Sequence, residues 1–263
     1  VRSADLSTMD GNAEKIFAEG NLKGQALVKL VFPIIRKAKS EGKWELAEKW
    51  IDRVDEACLD ADESKDQSIS QLKHYYLHKE DIYKATKRYD LLISVLEESL
   101  AHFPKTLATK KSLIAAYIES GNLEQARSYI ESKLDWKRPN WYFVEQLAHV
   151  ESEAGNDELA WKYACIAFNT RGSQKHKLEL HLLIAKIAEK LGKNDLSNDF
   201  KTLSILVRSE EKLPLNDELL EHIKNISDAS LTVPKILQKY REDIIDGINQ
   251  NREKCSGEIV WFP

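Results

Sequence analysis

Two similar segments separated by a fixed interval constrain the fold of this chain more than any other feature. ESGNLEQARSYI contains Gly121, EAGNDELAWKYA contains Gly155, and the two glycines lie 34 residues apart. In both segments asparagine follows the glycine, and an alanine, Ala126 or Ala160, lies five residues after it. A constant period of this length is typical of a chain built from repeated supersecondary units.

The same arrangement extends along the chain in both directions. Lys87 lies 34 residues before Gly121, in the related context DIYKATKRYDLL. Gly42 lies 45 residues before Lys87, which is one period plus eleven, and we assign the excess to the acidic stretch DADESKDQS as a loop. Gly192 lies 37 residues after Gly155, in a slightly longer repeat.

Apolar residues recur at helical spacing on both sides of these anchor positions. Leu113, Ala116 and Tyr117 share one helical face before Gly121, and a similar stripe follows it. Each repeat is therefore predicted to be two helices joined by a short turn. The glycine suits a left-handed residue that ends the first helix. The following Asn or Asp is predicted to cap the second helix, and the alanine is expected where the two helices cross closely.

This pattern resembles the tetratricopeptide repeat (TPR) family over roughly residues 23–209. The matches are small residues and aromatics in the first helix, glycine at the turn, alanine in the second helix and proline between repeats. They are Gly42, Trp44, Ala47 and Ile51; Tyr83, Tyr89, Leu92 and Pro104; Leu113, Tyr117, Gly121, Ala126 and Pro139; Leu147, Ala148, Gly155, Ala160 and Ala167; and Ala185 and Gly192.

The resemblance implies an all-α fold, a right-handed α-α superhelix of about five helix pairs with C-terminal capping helices. Residues 1–20 are expected to be disordered or frayed, and residues 21–209 to hold the TPR-like repeats. Residues 210–250 are expected to form capping helices over the end of the last repeat. Asn216 or Asp217 is predicted to cap the first of them, and the next is predicted to start at Thr232 and Pro234. Residues 251–263 are a separate tail.

In the family, the concave face lined by the first helices binds a peptide or a partner segment. Carrying the inner-face positions onto this chain gives a partner-binding groove: His74, His78, Asp81, Lys84, Lys111, Ser112, Tyr142, Glu145, Gln146 and His149. Some family members clamp a C-terminal carboxylate with a Lys/Asn/Arg set. That set is missing here, because Ala115 and Glu145 stand at two of its positions, which argues against such a ligand.

Several residue groups have a structural and a functional interpretation. His74 and His78 are four residues apart, so one helix face could offer both side chains to a metal ion. No third ligand lies nearby in a known motif, so the simpler interpretation is that they are two polar residues of the groove. The tyrosines of KHYYLHKE and the tryptophans Trp136, Trp141 and Trp161 are expected in the core, as are Cys58 and Cys165.

Composition narrows the function further. The net charge of −4 does not indicate nucleic-acid binding by the chain as a whole. Its three widely spaced cysteines favour a reducing, cytoplasmic location. The chain contains no phosphate-binding glycine loop, HExxH, GxSxG or membrane-spanning apolar run. We therefore expect a protein that is not an enzyme, needs no cofactor or metal, and binds a protein or peptide partner rather than a membrane.

The tail GEIVWFP resembles the first strand of a cold-shock domain through Gly257, Ile259, Trp261 and Phe262. Val260 replaces the basic residue of that motif and Pro263 replaces its asparagine. The tail is either the start of a second domain, a segment that docks on the helices, or a chance match. Three alternatives to a protein-binding scaffold therefore stay open: a nucleic-acid-associated adaptor with a further cold-shock-like domain, a peptide-sensing regulator, and an enzyme with an unfamiliar site.

Overall fold

The computed structural model describes residues 5–20, 25–59, 70–224 and 231–249. In these ranges the chain is all-helical, with fourteen α-helices, two short 3-10 helices and no strand, so the predicted all-α class is confirmed. None of the helices in these ranges is long and apolar enough to cross a membrane. The chain divides into two units, unit 1 (residues 1–121) and unit 2 (residues 122–263).

Unit 1 consists of six α-helices in the described ranges. They are α1 (Leu6–Ala18), α2 (Gln25–Ser40), α3 (Trp44–Ile51), α4 (Gln71–Ala85), α5 (Tyr89–His102) and α6 (Leu107–Glu119). Helices joined by short turns pack on each other, α2 on α3 and α4 on α5, and each pair also contacts the next helix along the chain. A third contact joins α2 to α4, the first helices of two successive pairs.

Unit 2 repeats this packing and adds three short helices. Its helices are α7 (Leu123–Glu131), α8 (Trp141–Glu153), α9 (Asp157–Asn169), α10 (Leu178–Lys190), α11 (Asn194–Glu210), α12 (Asp217–Ile223), α13 (Val233–Lys239) and α14 (Arg241–Asn249). Helix α8 packs on α9, α10 packs on α11, and the first helices α8 and α10 also touch. One buried core runs through these pairs, and its centre includes Trp161, Ile184 and Phe200.

The predicted left-handed turn residues are confirmed. Gly42, Gly121, Gly155 and Gly192 have φ between +71° and +79°. Lys87 occupies the equivalent position at φ +55°, although a side chain there is sterically unfavourable. The repeat therefore requires this backbone shape even where the sequence supplies no glycine.

The hydrogen bonds around Gly155 show how the turn closes the helix before it. Its N–H donates to the Ser152 carbonyl at 3.3 Å, and the N–H of Asn156 donates to the Glu151 carbonyl at 2.8 Å, which satisfies carbonyls at the end of α8. The predicted capping of α9 by the Asn156 side chain was wrong. The amide group of Asn156 instead donates to the buried Glu151 carboxylate at 2.8 Å, so the side chain is directed back to α8.

The position five residues after each anchor is buried in all five repeats. It holds Ala47, Leu92, Ala126, Ala160 and Ser197, and none of these is more than 3% exposed. A small residue lets the second helix of a pair approach the first closely. The prediction that this position lies in the core is therefore confirmed.

The N-terminal segment differs from the expected disorder, because α1 covers Leu6–Ala18. Asp5 caps it by accepting a hydrogen bond from the Thr8 N–H at 2.9 Å. Two side-chain contacts then tie α1 to α3 and the turn after it. The Trp50 indole donates to Asp10 at 2.7 Å, and the Arg53 guanidinium binds Glu14 through two bonds of 3.0 Å. These partners are 39 or 40 residues apart, so no local pattern indicated them.

The C-terminal helices also differ from the expected end cap. Asn216 caps α12 as predicted, but the single helix expected after Thr232 is two helices that meet at Tyr240. Helix α14 packs on α9 and α13 packs on α11, so they cover the second helices of two pairs. Ile236, Tyr240 and Ile244 complete the core there. The cold-shock-like tail and the acidic loop DADESKDQS lie outside the described residues.

Candidate functional site

In unit 1, packing of α2 against α4 covers His78, which was predicted to line a groove. Its side chain lies edge-on to the Phe32 ring at 5.1 Å between centroids and is only 5% exposed. Lys39 Nζ lies 3.0 Å from His78 Nδ1, so the neutral ring accepts a hydrogen bond from the lysine ammonium group. Burial, together with the Lys39 charge, lowers the pKa of His78 to about 4.

The other predicted groove residues of unit 1 have local partners. Asp81 is exposed and forms an ion pair with Lys39, and the Ser112 hydroxyl donates to Glu80. Of the other residues predicted for the groove in unit 1, His74 is half-buried, and Lys84 and Lys111 are exposed. The rings of His74 and His78 lie 6.4 Å apart between centroids. Across the described ranges, no cluster of three or more His, Cys, Asp or Glu side chains could hold a metal ion.

In unit 2, three of the predicted groove residues line one open cleft. We call this the α8–α10 cleft, and its volume is about 330 Å³. Its lining residues come from α8, α10, α11 and α12: Glu145, Gln146, His149, Glu179, Leu182, Leu183, Lys186, Glu189, Lys201 and Glu218. The fourth predicted residue, Tyr142, lies one turn before Glu145 on α8 and is half-buried. Burial raises its pKa.

The residues that α10 contributes occupy the same register as those predicted on α8. Gly192 lies 37 residues after Gly155, and adding 37 to 142, 145, 146 and 149 gives Glu179, Leu182, Leu183 and Lys186. All four of these residues line the cleft. The sequence therefore contained the signal for them, and extending the inner-face positions by one repeat would have found them.

At the α8–α10 cleft, polar contacts between side chains connect α8 with α10. Lys186 donates to Glu153 at 2.8 Å, and His149 Nε2 lies 3.7 Å from the same carboxylate. The lysine bond lowers the pKa of Glu153. Burial lowers the pKa of His149 against the opposing effect of Glu153, so this ring is neutral at physiological pH.

Lys201 on α11 forms a second set of ion pairs at the cleft. Its ammonium lies 3.6 Å from Glu189 on α10 and 3.5 Å from Glu218 on α12. This ion-pair network fixes α12 at the cleft, a role the sequence did not indicate. Leu182 and Leu183 supply the apolar part of the lining.

The tryptophan and cysteine predictions had mixed outcomes. Trp161 and Cys165 are fully buried in the core of unit 2, as expected. Trp136 is exposed and stacks on Tyr163 with 6.2 Å between centroids, and Cys58 is exposed at the end of the 3-10 helix Glu56–Cys58. Both predictions for these exposed residues were wrong, because each follows a helix end where the chain leaves the core.

Comparison with known proteins adds little to this picture. No protein-family model matches the chain, and no curated protein matches it. Among solved structures, the crystal structure of BtubC (BKLC) from P. vanneervenii is similar, with a TM-score of 0.48 and 13% sequence identity. The similarity covers 87% of this chain and 96% of that chain. The function proposed below is therefore based on the residues of this chain.

Proposed function

We propose that this protein is a non-enzymatic, cytoplasmic scaffold that binds an extended segment of a partner protein along the first helices of TPR-like pairs. The observation that carries this proposal is the α8–α10 cleft. Side chains in equivalent register on two successive first helices line one open cavity, which is the arrangement that a repeated binding face produces. A right-handed superhelix would continue that face over further repeats.

The lining of the α8–α10 cleft is better suited to peptide binding than to catalysis. Leu182 and Leu183 can accept an apolar side chain, while the glutamates and lysines around them can orient a polar backbone and charged neighbours. The His149 ring lies 3.7 Å from the Glu153 carboxylate, which is itself paired with Lys186. This arrangement positions the ring for recognition, and no Ser, Thr or Cys that it could activate is among the residues that line the cleft.

Site-specific photo-crosslinking tests the location of binding directly. A photoreactive phenylalanine is placed at Leu183, in the cleft, and in a matched variant at Lys162 on α9, outside its lining. Irradiation in a cell lysate followed by mass spectrometry should give a defined protein adduct at Leu183 and none at Lys162. Adducts formed equally at both positions, or at neither, contradict the proposal.

Substitutions then test which side chains hold the partner. His149→Ala with Leu183→Glu should abolish capture of the cross-linked partner while the helical circular dichroism spectrum is unchanged. Unchanged capture would remove this cleft from the interface. Retention of the chain on single-stranded nucleic acid, lost as salt rises, would instead favour the nucleic-acid adaptor.

A further inference from the structure

A second cleft in unit 2 has walls of a different character. We call it the α9–α14 cleft. It lies between the end of α9, the loop of residues 170–177 and the helices α13 and α14, and its volume is about 630 Å³. It shares no lining residue with the α8–α10 cleft. An inference drawn from it is therefore independent of the function proposed above.

The charged side chains that line the α9–α14 cleft are all cationic. They are Arg171, Lys177 and Arg241, and no Asp or Glu lines it. Within the described residues, neither arginine takes part in an ion pair. By contrast, Arg208 pairs with Glu179 at 3.2 Å, and Lys239 pairs with Asp199 at 2.6 Å. Unneutralised cations that line one cleft favour an anionic ligand.

Lys177 is a built part of this cleft rather than a surface charge. Its residue is only 1% exposed, and its ammonium donates to the main-chain carbonyls of Phe168, at 2.7 Å, and Thr170. The loop is closely packed around it, since a Cβ atom on Gly172 would lie 3.2 Å from Lys177 Cε. The positive charge is therefore fixed in place before any ligand arrives.

The other wall is aliphatic. Leu237, Ile244 and Ile245 line the cleft from α13 and α14, and Ile245 is 41% exposed. An exposed isoleucine beside a cationic rim is a surface that can accept an apolar side chain. A ligand for this cleft therefore needs both aliphatic and anionic groups.

We propose that the α9–α14 cleft binds an acidic segment of a partner protein in which carboxylate and aliphatic side chains alternate. The three cations come from two segments: Arg171 and Lys177 lie in the loop, and Arg241 lies at the start of α14. Several carboxylates are needed to pair with them, which favours an acidic peptide over an amphiphile with one charged group.

Fluorescence anisotropy with three labelled synthetic peptides tests this proposal. One peptide alternates leucine and glutamate, the second alternates leucine and lysine, and the third alternates alanine and glutamate. The leucine–glutamate peptide should bind, more weakly at high salt, while the other two should bind at least about tenfold more weakly. Absence of binding by the leucine–glutamate peptide, or equal binding of the leucine–lysine peptide, overturns the proposal.

Charge-matched variants locate the binding. Arg171→Gln with Arg241→Gln should weaken the leucine–glutamate peptide about tenfold or more. The control is Lys133→Gln with Arg138→Gln, which removes the same charge from unit 2 outside the cleft lining and should leave binding unchanged. Equal loss in both double variants means general charge attraction and contradicts the proposal. Displacement by dodecanoate without binding of any peptide would also contradict it and indicate an anionic lipid.

Discussion

The ammonium group of Lys177 donates a 2.7 Å hydrogen bond to the main-chain carbonyl of Phe168, one residue before the end of α9. It also donates to the Thr170 carbonyl, where the chain has already left the helix. Carbonyls at a helix end have no partner within the helix, and a buried lysine supplies one here. Burial lowers the pKa of Lys177 to about 8, so the lysine is still charged at neutral pH.

Replacing this lysine should destabilise unit 2. Lys177→Met keeps most of the side-chain volume but leaves buried carbonyls without a donor, so we expect a loss of about 2 kcal/mol in the free energy of unfolding. Urea denaturation followed by circular dichroism measures it. Lys162→Met on α9 is the control and should change stability by less than about 0.5 kcal/mol. Equal effects of the two substitutions would show that the two hydrogen bonds contribute nothing.

Gly247 should be required for the seating of α14 on α9. A Cβ atom at this position would lie 2.6 Å from Cys165 Sγ and 2.7 Å from Trp161 Nε1. Gly247→Ala should therefore displace α14 and cost about 1–3 kcal/mol, although alanine is the better helix former. Gly11→Ala in α1 is the matched control, because nothing lies within 4 Å of that added atom.

The thiol of Cys165 reports the same displacement without a stability measurement. Burial raises its pKa to about 12, so it should react very slowly with a thiol reagent in the native protein. In a Cys58→Ser, Cys255→Ser background, Gly247→Ala should accelerate the reaction of Cys165. An unchanged rate would mean that α14 absorbs the extra methyl group without moving.

Two equivalent turns should respond in opposite directions to substitution. Gly155→Ala places a side chain at φ +79° and should cost about 1 kcal/mol. Lys87→Gly relieves the same steric conflict at φ +55° and should stabilise unit 1 by up to about 1 kcal/mol. Thermal unfolding of the two variants beside the parent protein measures both effects. A Lys87→Gly protein that melts below the parent would show that the strain is smaller than the added chain entropy.

Acid should destabilise unit 1 through His78. Its pKa is about 4 in the folded protein, below the ordinary value of 6.5, so between these values the unfolded chain binds more protons. The stabilisation is present above pH 6.5 and is lost as the pH falls towards 4. From about pH 7 to pH 5 the loss should be about 2 kcal/mol.

A His78→Gln variant isolates this contribution from other groups. His181 is buried in unit 2 with its pKa lowered to about 3, so it shifts stability in the same direction in both proteins. The difference between parent and variant should therefore shrink as the pH falls. A constant difference across this range would show that His78 does not titrate as its burial requires.

Much of the fold could be predicted because its determinants are local. The period of 34 residues, the left-handed anchors and the buried position after each of them depend on residues within one hairpin. Helix α1 was not predicted because the contacts that stabilise it are not local. Asp10 binds Trp50 and Glu14 binds Arg53 only when segments distant in the sequence pack together. The α9–α14 cleft was missed for the same reason, since its lining comes from α9, a loop and two later helices.

The candidate binding face likewise has a part that the sequence predicts and a part that it does not. The register of the repeat indicated Glu145, Gln146 and His149, and it extends to Leu182 and Leu183 without further information. It could not show that Lys39 covers His78, because the burial of a side chain depends on which helix packs over it.

The sequence by itself determined the helix-turn-helix repeat, since backbone conformation and helical periodicity are set by neighbouring residues. Only the tertiary structure decided which charges are paired, which side chains are covered and where the clefts open. Those properties depend on contacts between residues many positions apart, whose distances the linear pattern does not contain.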